Sequence, residues 1–300
     1  MANTNTKIQW TDTTWTVTTG CDKVSQGCSK CYAEVMSNRL QAMGVRGYEG
    51  IIKNNRWTGK INLLPEKLEE PLHWKKPRMI FVNSMSDLFH PSVPFEFVDK
   101  VYAVMGICFQ HTFQILTKRP ERMKQYFDEL GLGKRSVSSE AMWIMKSAAG
   151  GFALAHNVAD FIRSGILPDN IWLGTSCENQ STANERIPIL LQIPAAIRFI
   201  SAEPLLGPID FLSLLKGDIK YQGNDEFFIP KINQIICGAE SGRGARPMQL
   251  EWARSLRDQC KAAGVKFFMK QICESGYKID YEKFPGDLKI RDYPDREEVK

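Results

Sequence analysis

Seven short runs of apolar and β-branched residues alternate with helical intervals, and this alternation constrains the fold most. The predicted helices cover 31–43, 94–108, 119–130, 149–164, 181–192 and 249–263. The predicted strands are TWTVTTG (14–20), MIFVNS (79–84), TFQILTK (112–118), IWLGTS (171–176), IRFISAE (197–203), QIICGAE (234–240) and KFFMKQ (266–271). Near-continuous apolar runs are typical of strands buried on both faces of a parallel sheet. The sequence therefore predicts βαβ units and an α/β fold with a partial or complete parallel (β/α) barrel.

The predicted domain organisation is one barrel domain with an insertion and a tail. A chain of 300 residues fits a single α/β barrel. Residues 131–170 open with GLGKR and are rich in Ser, Ala and Met, which indicates a helical insertion. Residues 276–300 mix charges with Pro and Tyr, which indicates a peripheral C-terminal tail. The barrel domain is thus predicted over 1–275.

Hydropathy and charge exclude some classes of protein. The sequence has no run of about eighteen apolar residues, which a membrane-spanning helix needs. The polar start MANTNTKIQWTDTTW lacks the apolar core of a signal peptide, so we expect a cytoplasmic protein that does not contact a membrane. The net charge of +5, from 39 basic and 34 acidic residues, is compatible with a nucleic-acid partner but is shared by many enzymes.

Three of the eight cysteines form a close-spaced motif, and metal binding explains it best. The segment GCDKVSQGCSKCYAE places Cys21, Cys28 and Cys31 in a C-x6-C-x2-C pattern directly after the first predicted strand. Closed zinc sites and closed clusters take four protein ligands, so three thiolates leave one metal position open for a substrate or cofactor. The alternatives are a zinc knuckle whose fourth ligand is Cys177 or His90, and a chance cluster of thiols.

Nearly every predicted strand ends in polar residues, namely NSMSD, LTKRP, GTSCEN, SAEP, GAESGRGARP and MKQ. In parallel α/β folds, ligands bind at the carboxyl ends of the strands. The glycines and arginines of the GAESGRGARP segment can cradle an anion, which makes Arg243 and Arg246 substrate candidates, although an ordinary glycine turn is the alternative. Cys177 and Cys237, at or near strand ends, can donate hydrogen to a substrate radical or simply fill the core.

These motifs together resemble those of a known superfamily. The segments TGC…GCxxCYAE, FVNSMSDLFH, ILTKRP, WLGTSxEN, FISAEPLLGPI and GAESGRGARP cover nearly the whole chain outside 131–170. The chain resembles the radical S-adenosylmethionine (SAM) superfamily, more narrowly a phage-associated branch of unknown function named for its three-cysteine motif. It is more distantly similar to spore photoproduct lyase-like proteins. The common superfamily spacing is C-x3-C-x2-C with an aromatic before the last cysteine, whereas here the first gap is six residues and Lys30 precedes Cys31.

The resemblance implies a TIM-like barrel, a [4Fe–4S] cluster on Cys21, Cys28 and Cys31, and SAM chelated at the open iron. It also implies that polar strand ends contact SAM. The expected contacts are Asn83, Ser84 and Asp87 for the ammonium, Lys118 for the carboxylate, and Ser176, Glu178 and Glu203 for the ribose; Glu240, Arg243 and Arg246 are expected to meet the substrate. Other roles stay open: a helix cap for Asp87, a phosphate-binding or solvated pair for Lys118 with Arg119, and a proton acceptor or substrate contact for Glu203.

By analogy with the lyase-like proteins, the resemblance further implies a nucleic acid or nucleotide as substrate. LHWKKPR (72–78) can stack on and clamp such a ligand, or can be a solvated basic turn. Two alternative functions remain at this stage. One is a zinc-dependent nucleic-acid-binding module without chemistry of its own. The other is a radical SAM enzyme that acts on a protein partner encoded beside it.

Overall fold

The structure is a computed structural model that describes residues 6–131, 133–148, 167–215 and 231–294. Thirteen strands occur in these ranges and are numbered β1 to β13 along the chain. In order they are Thr13–Trp15, Thr18–Thr19, Ile52–Lys53, Arg56–Trp57, Asn62–Leu63, Met79–Val82, Thr112–Thr117, Ile171–Ser176, Ile197–Ala202, Gln234–Gly238, Lys266–Gln271, Cys273–Glu274 and Tyr277–Lys278.

Seven of the strands form one sheet in the order β1-β6-β7-β8-β9-β10-β11. β1 pairs in parallel with β6, β6 with β7, β9 with β10, and β10 with β11. Six of these seven strands coincide with or lie within a predicted run, and β1 overlaps the run 14–20. That run forms two strands: β1 joins the main sheet, whereas β2 pairs antiparallel with β5 in a separate sheet. Each of the seven strands neighbours the next one of the set along the chain. The predicted α/β class and parallel sheet are therefore confirmed. The order is also compatible with a partial (β/α) barrel.

Seven α-helices lie in the described ranges and are numbered α1 to α7: Tyr32–Ala42, Phe95–Ile107, Pro120–Gly131, Ser139–Ala148, Gln180–Leu190, Leu212–Leu215 and Leu250–Ala263. A capping box formed by Asn179 and Thr182 begins α5. Gly264, with φ at 67°, ends α7 in the left-handed conformation that glycine adopts readily. Among the described residues, no helix is long and apolar enough to cross a membrane. The predicted helix 149–164 lies outside the described residues.

The chain divides into two compact units. The first comprises Met1–Val24, Cys31–Trp172 and Pro194–Ala196, and the second comprises Ser25–Lys30, Leu173–Ile193 and Ile197–Lys300. Within the first unit, Trp15, Ile80 and Phe113 of β1, β6 and β7 are fully buried; within the second, Phe199 and Phe268 of β9 and β11 are. This burial is the physical reason why the strands read as apolar runs.

The described part of the C-terminal tail packs on β11, the last strand of the sheet. Asp292 N–H donates to the Phe267 carbonyl at 3.0 Å, and Met269 N–H donates to the Ile290 carbonyl at 2.8 Å. Leu288 is fully buried. These bonds satisfy backbone groups that an edge strand would otherwise leave unpaired. The tail thus covers a sheet edge, and residues 295–300 lie outside the described residues.

Candidate functional site at the cysteine loop and strand ends

Cys21 and Cys31 bound the cysteine loop (residues 21–31), and both belong to the first unit. Gly20 precedes Cys21 with φ at 92°, and a β-carbon there would meet the Lys60 carbonyl oxygen at 2.1 Å, so only glycine fits. Cys31 is the N-cap residue of α1. Burial, with smaller contributions from the charges of Asp87 and Cys31, raises the pKa of the Cys21 thiol to about 12, and Arg119 opposes this shift. Cys21 and Cys31 are therefore close enough to influence each other's charge.

Arg119 lies beside Cys21 and is held by two carboxylates. It forms ion pairs with Asp22 and, at 3.0 Å, with Asp87. Asp87 also accepts hydrogen bonds from the Thr117 hydroxyl at 2.7 Å and the Lys118 amide at 3.1 Å. The carboxylate of Asp87 thus ties the end of β6 to the end of β7 and fixes the guanidinium of Arg119 against the first cysteine.

The two cations of the lysine–arginine pair differ in burial. The sequence assigned Lys118 to the SAM carboxylate, and that contact stays a prediction; Arg119 is buried, whereas Lys118 is half-buried. His90, suggested as a zinc ligand, is buried, and its Nε2 lies 3.3 Å from the Asp22 carboxylate. Burial, together with the charge of Arg119, lowers the pKa of His90, which favours the neutral imidazole.

Asn83 offers an unused hydrogen-bond donor at the end of β6. It adopts φ 59°, and its Oδ1 accepts from the amides of Val17 at 2.9 Å and Thr18 at 3.1 Å. Its side-chain Nδ2 is buried and has no partner among the described residues. A buried donor without a partner is costly in a native protein, so it indicates a ligand acceptor or a bound water. Next to it, the Ser84 carbonyl accepts from the Tyr32 hydroxyl at 2.7 Å.

In the second unit, Glu178 holds the segment of the cysteine loop that carries Cys28. Its side chain is fully buried; it accepts from the Gly27 amide at 2.9 Å and pairs with Arg186 at 3.3 Å. A β-carbon on Gly27 would lie 3.1 Å from the Glu178 carboxyl carbon. Glycine at position 27 therefore lets the loop approach the carboxylate at the end of β8.

A second contact within this unit joins the loop to the end of β10. Arg246 donates from its backbone amide and its Nε to Glu240, at 2.8 Å and 3.0 Å, and from its guanidinium to the Gln26 carbonyl at 3.0 Å. Lys30 donates to the Gly244 carbonyl and lies 4.0 Å from Glu240. The predicted anion-binding segment thus uses one of its two arginines to hold the cysteine loop.

The remaining predicted residues lie farther along the strand ends. Ser176 is buried, and its carbonyl accepts from Arg186 at 2.8 Å. Glu203 accepts from the Ser201 hydroxyl at 3.1 Å and pairs with Lys270 at 2.7 Å. Arg243 is exposed, and no ion pair involves it among the described residues. Cys177 and Cys237 are fully buried, as core thiols are.

Sequence reasoning missed Lys270 and Gln271 as site candidates, although both belong to the MKQ strand end. Gln271 donates to the Ala239 carbonyl, and its buried Oε1 has no partner among the described residues. A β-carbon on Gly238 would lie 2.9 Å from the Glu203 Oε1 and 3.3 Å from the Gln271 Cγ, which places these two side chains together. The ends of β9, β10 and β11 therefore present the Glu203–Lys270 ion pair and the unpartnered side-chain oxygen of Gln271.

The donor chemistry fits an iron–sulfur cluster. All eight cysteines lie in the described ranges and none of them forms a disulfide there, and the three of the motif are half-buried rather than sealed in a core. Cluster ligands must be thiolates; the Arg119 cation favours that form at Cys21, but burial outweighs it and leaves the thiol pKa at about 12, so a bound metal has to displace the proton. Among the described residues, no three His, Cys, Asp or Glu side chains form a group already arranged to hold a metal ion. The fit of a cluster to this site therefore rests on the three thiol donors and their charged surroundings.

Residues 5–285 match the protein family described as "Protein of unknown function (DUF5131)". No curated protein and no solved structure matches the chain.

Proposed function

The chain belongs to the DUF5131 family, and we propose that it is a radical SAM enzyme with a [4Fe–4S] cluster on Cys21, Cys28 and Cys31. We further propose that it acts on a nucleic acid or nucleotide. The proposal combines the three-cysteine motif with an α/β fold whose parallel strands end in polar residues.

The observation that carries the proposal is the way in which the cysteine loop is held at strand ends. Within the second unit, Glu178 at the end of β8 and Arg246 beyond β10 both bind the segment that carries Cys28. Ligand sites of parallel α/β folds lie at these ends. A loop that served only as a surface turn would not need its backbone fixed by a fully buried carboxylate and by an arginine that Glu240 itself holds in place.

When bound, a reduced [4Fe–4S] cluster supplies the electron that cleaves SAM to methionine and a 5′-deoxyadenosyl radical. The chain's own residues orient SAM and exclude water. In the first unit, Asn83 was expected to contact the ammonium, but its Oδ1 accepts two backbone amides and its free Nδ2 is a donor. Asn83 is therefore proposed to contact the SAM carboxylate, which Lys118 neutralises. Asp87 and the Ser84 carbonyl are the proposed acceptors for the ammonium. Arg119 balances charge beside Cys21.

In the second unit, Ser176 and Glu203 are the proposed ribose contacts. Glu178 is proposed to hold the loop, and a ribose contact for it stays a prediction. Arg243 has an exposed cation that can meet a phosphate of the substrate. Glu240 and Arg246 pair with each other, so they are proposed to shape the substrate loop rather than to contact the phosphate directly.

The proposal is tested by anaerobic reconstitution with iron and sulfide. The wild-type protein should bind about four iron and four sulfide and become brown, as a [4Fe–4S] site requires. Cys28→Ala should lose this cluster and keep the far-ultraviolet circular dichroism spectrum of the folded chain. Cys273→Ala is the matched control, because Cys273 is also a half-buried free thiol but lies outside the motif. Full cluster content in Cys28→Ala would reassign the ligands.

SAM chemistry is tested separately with the reconstituted protein and a strong reductant. Formation of methionine and 5′-deoxyadenosine is expected, and their absence from a cluster-loaded protein that does not bind SAM would refute the radical assignment. A colourless protein that binds one zinc ion through the same cysteines would support the nucleic-acid-binding module instead. Screening oligonucleotides, nucleotides and a neighbouring encoded protein then separates the substrate classes.

A further inference from the structure

Tyr277 presents an open aromatic ring on the β12–β13 hairpin, which follows directly after β11. At 80% exposure it is the most exposed large hydrophobic side chain among the described residues. Glu274 pairs with Tyr277 across the hairpin, so the two side chains lie on the same face, and both are exposed. This face of the hairpin therefore offers solvent a flat ring beside a carboxylate.

The backbone of the hairpin fixes where the ring stands. Ser275 and Gly276 form the turn with φ angles of 49° and 82°, and positive φ at both central residues is what a type I′ turn requires. At the other end of the hairpin, Ile279 N–H donates to the Ile272 carbonyl at 3.1 Å. The ring of Tyr277 is therefore carried by a short closed hairpin of defined geometry.

The same turn packs against the glycine–arginine segment that follows β10. Gly242 N–H donates to the Gly276 carbonyl at 2.9 Å, and a β-carbon on Gly276 would meet the Gly242 carbonyl oxygen at 2.6 Å, so only glycine fits there. Arg243 follows Gly242, and Tyr277 follows Gly276. Standard backbone dimensions then place the α-carbons of Arg243 and Tyr277 within about 11 Å of each other. Both segments belong to the second unit.

Positive charge lies beside the ring. Arg243 is exposed, and no ion pair involves it among the described residues. Lys30 donates to the carbonyl of Gly244, the residue after Arg243, and its side chain is 41% exposed. Glu240 is buried and paired with the other arginine of the segment, so it repels an anion only weakly. The exposed carboxylate of Glu274 suits the N–H groups on the edge of a base rather than a phosphate.

We propose that Tyr277 stacks on an unpaired base of a single-stranded nucleic acid, and that Arg243 and Lys30 bind phosphates of the same strand. The inference rests on the proposed function and deepens it, because it identifies the nucleic acid as single-stranded and places it beyond the ends of β10 and β11. A tyrosine ring stacks on any base, since every base has a π face. A duplex hides these faces inside its own stack, so the ring has nothing to stack on there.

A protein partner fits this hairpin less well. The neighbours of Tyr277 along the hairpin are polar residues or glycine, namely Glu274, Ser275, Gly276 and Lys278, and the ring is therefore not part of an apolar patch. The buried centre of a protein–protein interface is apolar and depleted in charge. An isolated aromatic ring beside cations is instead the combination that binds single strands.

The test measures binding of short labelled DNA and RNA single strands to the full chain by fluorescence anisotropy, with and without reconstituted iron. Tyr277→Ala should weaken binding about 5- to 150-fold, whereas Tyr277→Phe keeps the ring and should stay within about twofold of the wild type. Arg243→Gln should reduce the slope of log affinity against log salt by about 0.7, the value for one phosphate of a single strand.

The matched controls are Phe109→Ala and Lys261→Gln, which change an exposed aromatic ring and an exposed lysine elsewhere in the chain. Both should leave the affinity within about twofold of the wild type. All of these substitutions change exposed side chains, so every variant should keep the denaturant midpoint of the wild type. A loss of affinity in Tyr277→Ala at an unchanged midpoint is therefore a loss of contact with the strand.

The proposal is overturned if the wild type binds no single strand, or if Tyr277→Ala binds it as tightly as the wild type does. It is also overturned if a blunt duplex binds as tightly as the single strand, if a mononucleotide or an acidic polypeptide competes as well as the strand itself, or if Phe109→Ala weakens binding instead. A chain that needs Tyr277 for single strands but takes up no iron refutes only the proposed cluster. A chain that loads the cluster and cleaves SAM, yet binds strands equally well without Tyr277, refutes only the stacking.

Discussion

Glu178→Gln is expected to lower the free energy of unfolding by about 2–4 kcal/mol, because it breaks a buried charge pair. Glu178 and Arg186 expose 0% and 2% of their side chains and lie 3.3 Å apart. Removing one partner of such a pair costs about 3–5 kcal/mol, since the other charge stays buried. Arg186 keeps its hydrogen bond to the Ser176 carbonyl at 2.8 Å, which offsets about 1 kcal/mol.

Glutamine and alanine should affect the cysteine loop differently. The glutamine carbonyl can still accept from the Gly27 amide, which Glu178 now binds at 2.9 Å, whereas alanine leaves that amide without its acceptor. Native-state amide exchange should therefore show strong loss of protection at Gly27 in Glu178→Ala and a smaller loss in Glu178→Gln. Denaturant midpoints measure the global effect. Glu185→Gln, on the exposed face of the same helix, is the control and should change neither quantity.

Two results would refute this reasoning. If Glu178→Gln and Glu185→Gln have the same denaturant midpoint, then the carboxylate of Glu178 does not stabilise the protein through Arg186. If exchange at Gly27 is the same in the wild type and in Glu178→Ala, then the loop is held by other contacts. Cluster content should fall in Glu178→Ala, because a loop that opens readily orders its thiolates at a greater entropic cost.

Three further outcomes are expected. Lys118→Met should lower SAM affinity about ten- to a hundredfold, because a charge-assisted contact is worth about 1.5–3 kcal/mol. Equilibrium dialysis measures the affinity, and the iron content of the variant should stay normal. Unchanged affinity would assign the lysine to the substrate or the surface. Burial alone would raise the pKa of Glu240, but hydrogen bonds from Arg246 lower it. The contact between the two side chains therefore stabilises the fold at pH values above the ordinary glutamate pKa. Protection of the Arg246 amide from exchange should fall as the pH drops through the lowered pKa that Glu240 has in the folded protein. Asp99→Asn should lower the free energy of unfolding by about 3 kcal/mol or more, since the fully buried carboxylate accepts four hydrogen bonds. In the same urea titration, the control Glu96→Gln, which changes an exposed residue, should leave the free energy of unfolding almost unchanged.

The strands of the main sheet could be predicted because burial on both faces leaves a signal in every residue of the strand. The runs at 171–176 and 266–271 coincide with β8 and β11. The two-residue strands of the β3–β4 hairpin carry no such signal: Lys53, Asn54, Asn55 and Arg56 are all exposed. Their turn depends on positive φ angles of 51° and 59° at the two asparagines, which the sequence permits but does not require.

The choice between Lys118 and Arg119 shows where strand periodicity stops being informative. Strand alternation puts Lys118 on the same face as Gln114 and Leu116 if the strand continues through it. β7 ends at Thr117, however, and Asp87 accepts from both the Thr117 hydroxyl and the Lys118 amide. Beyond the last strand residue the backbone turns, so that Arg119 becomes the buried cation. The deciding contact spans about thirty residues of sequence, and a local pattern does not contain it.

The six-residue gap between the first two cysteines is explained by what its residues bind. In the first unit, Asp22 pairs with Arg119, and Lys23 pairs with Glu34 at 2.7 Å. In the second unit, the Gln26 carbonyl accepts from Arg246, and the Gly27 amide donates to a buried glutamate. A three-residue gap would remove residues that make these contacts. The longer spacing therefore supplies residues whose contacts hold the loop backbone next to Cys21 and next to Cys28.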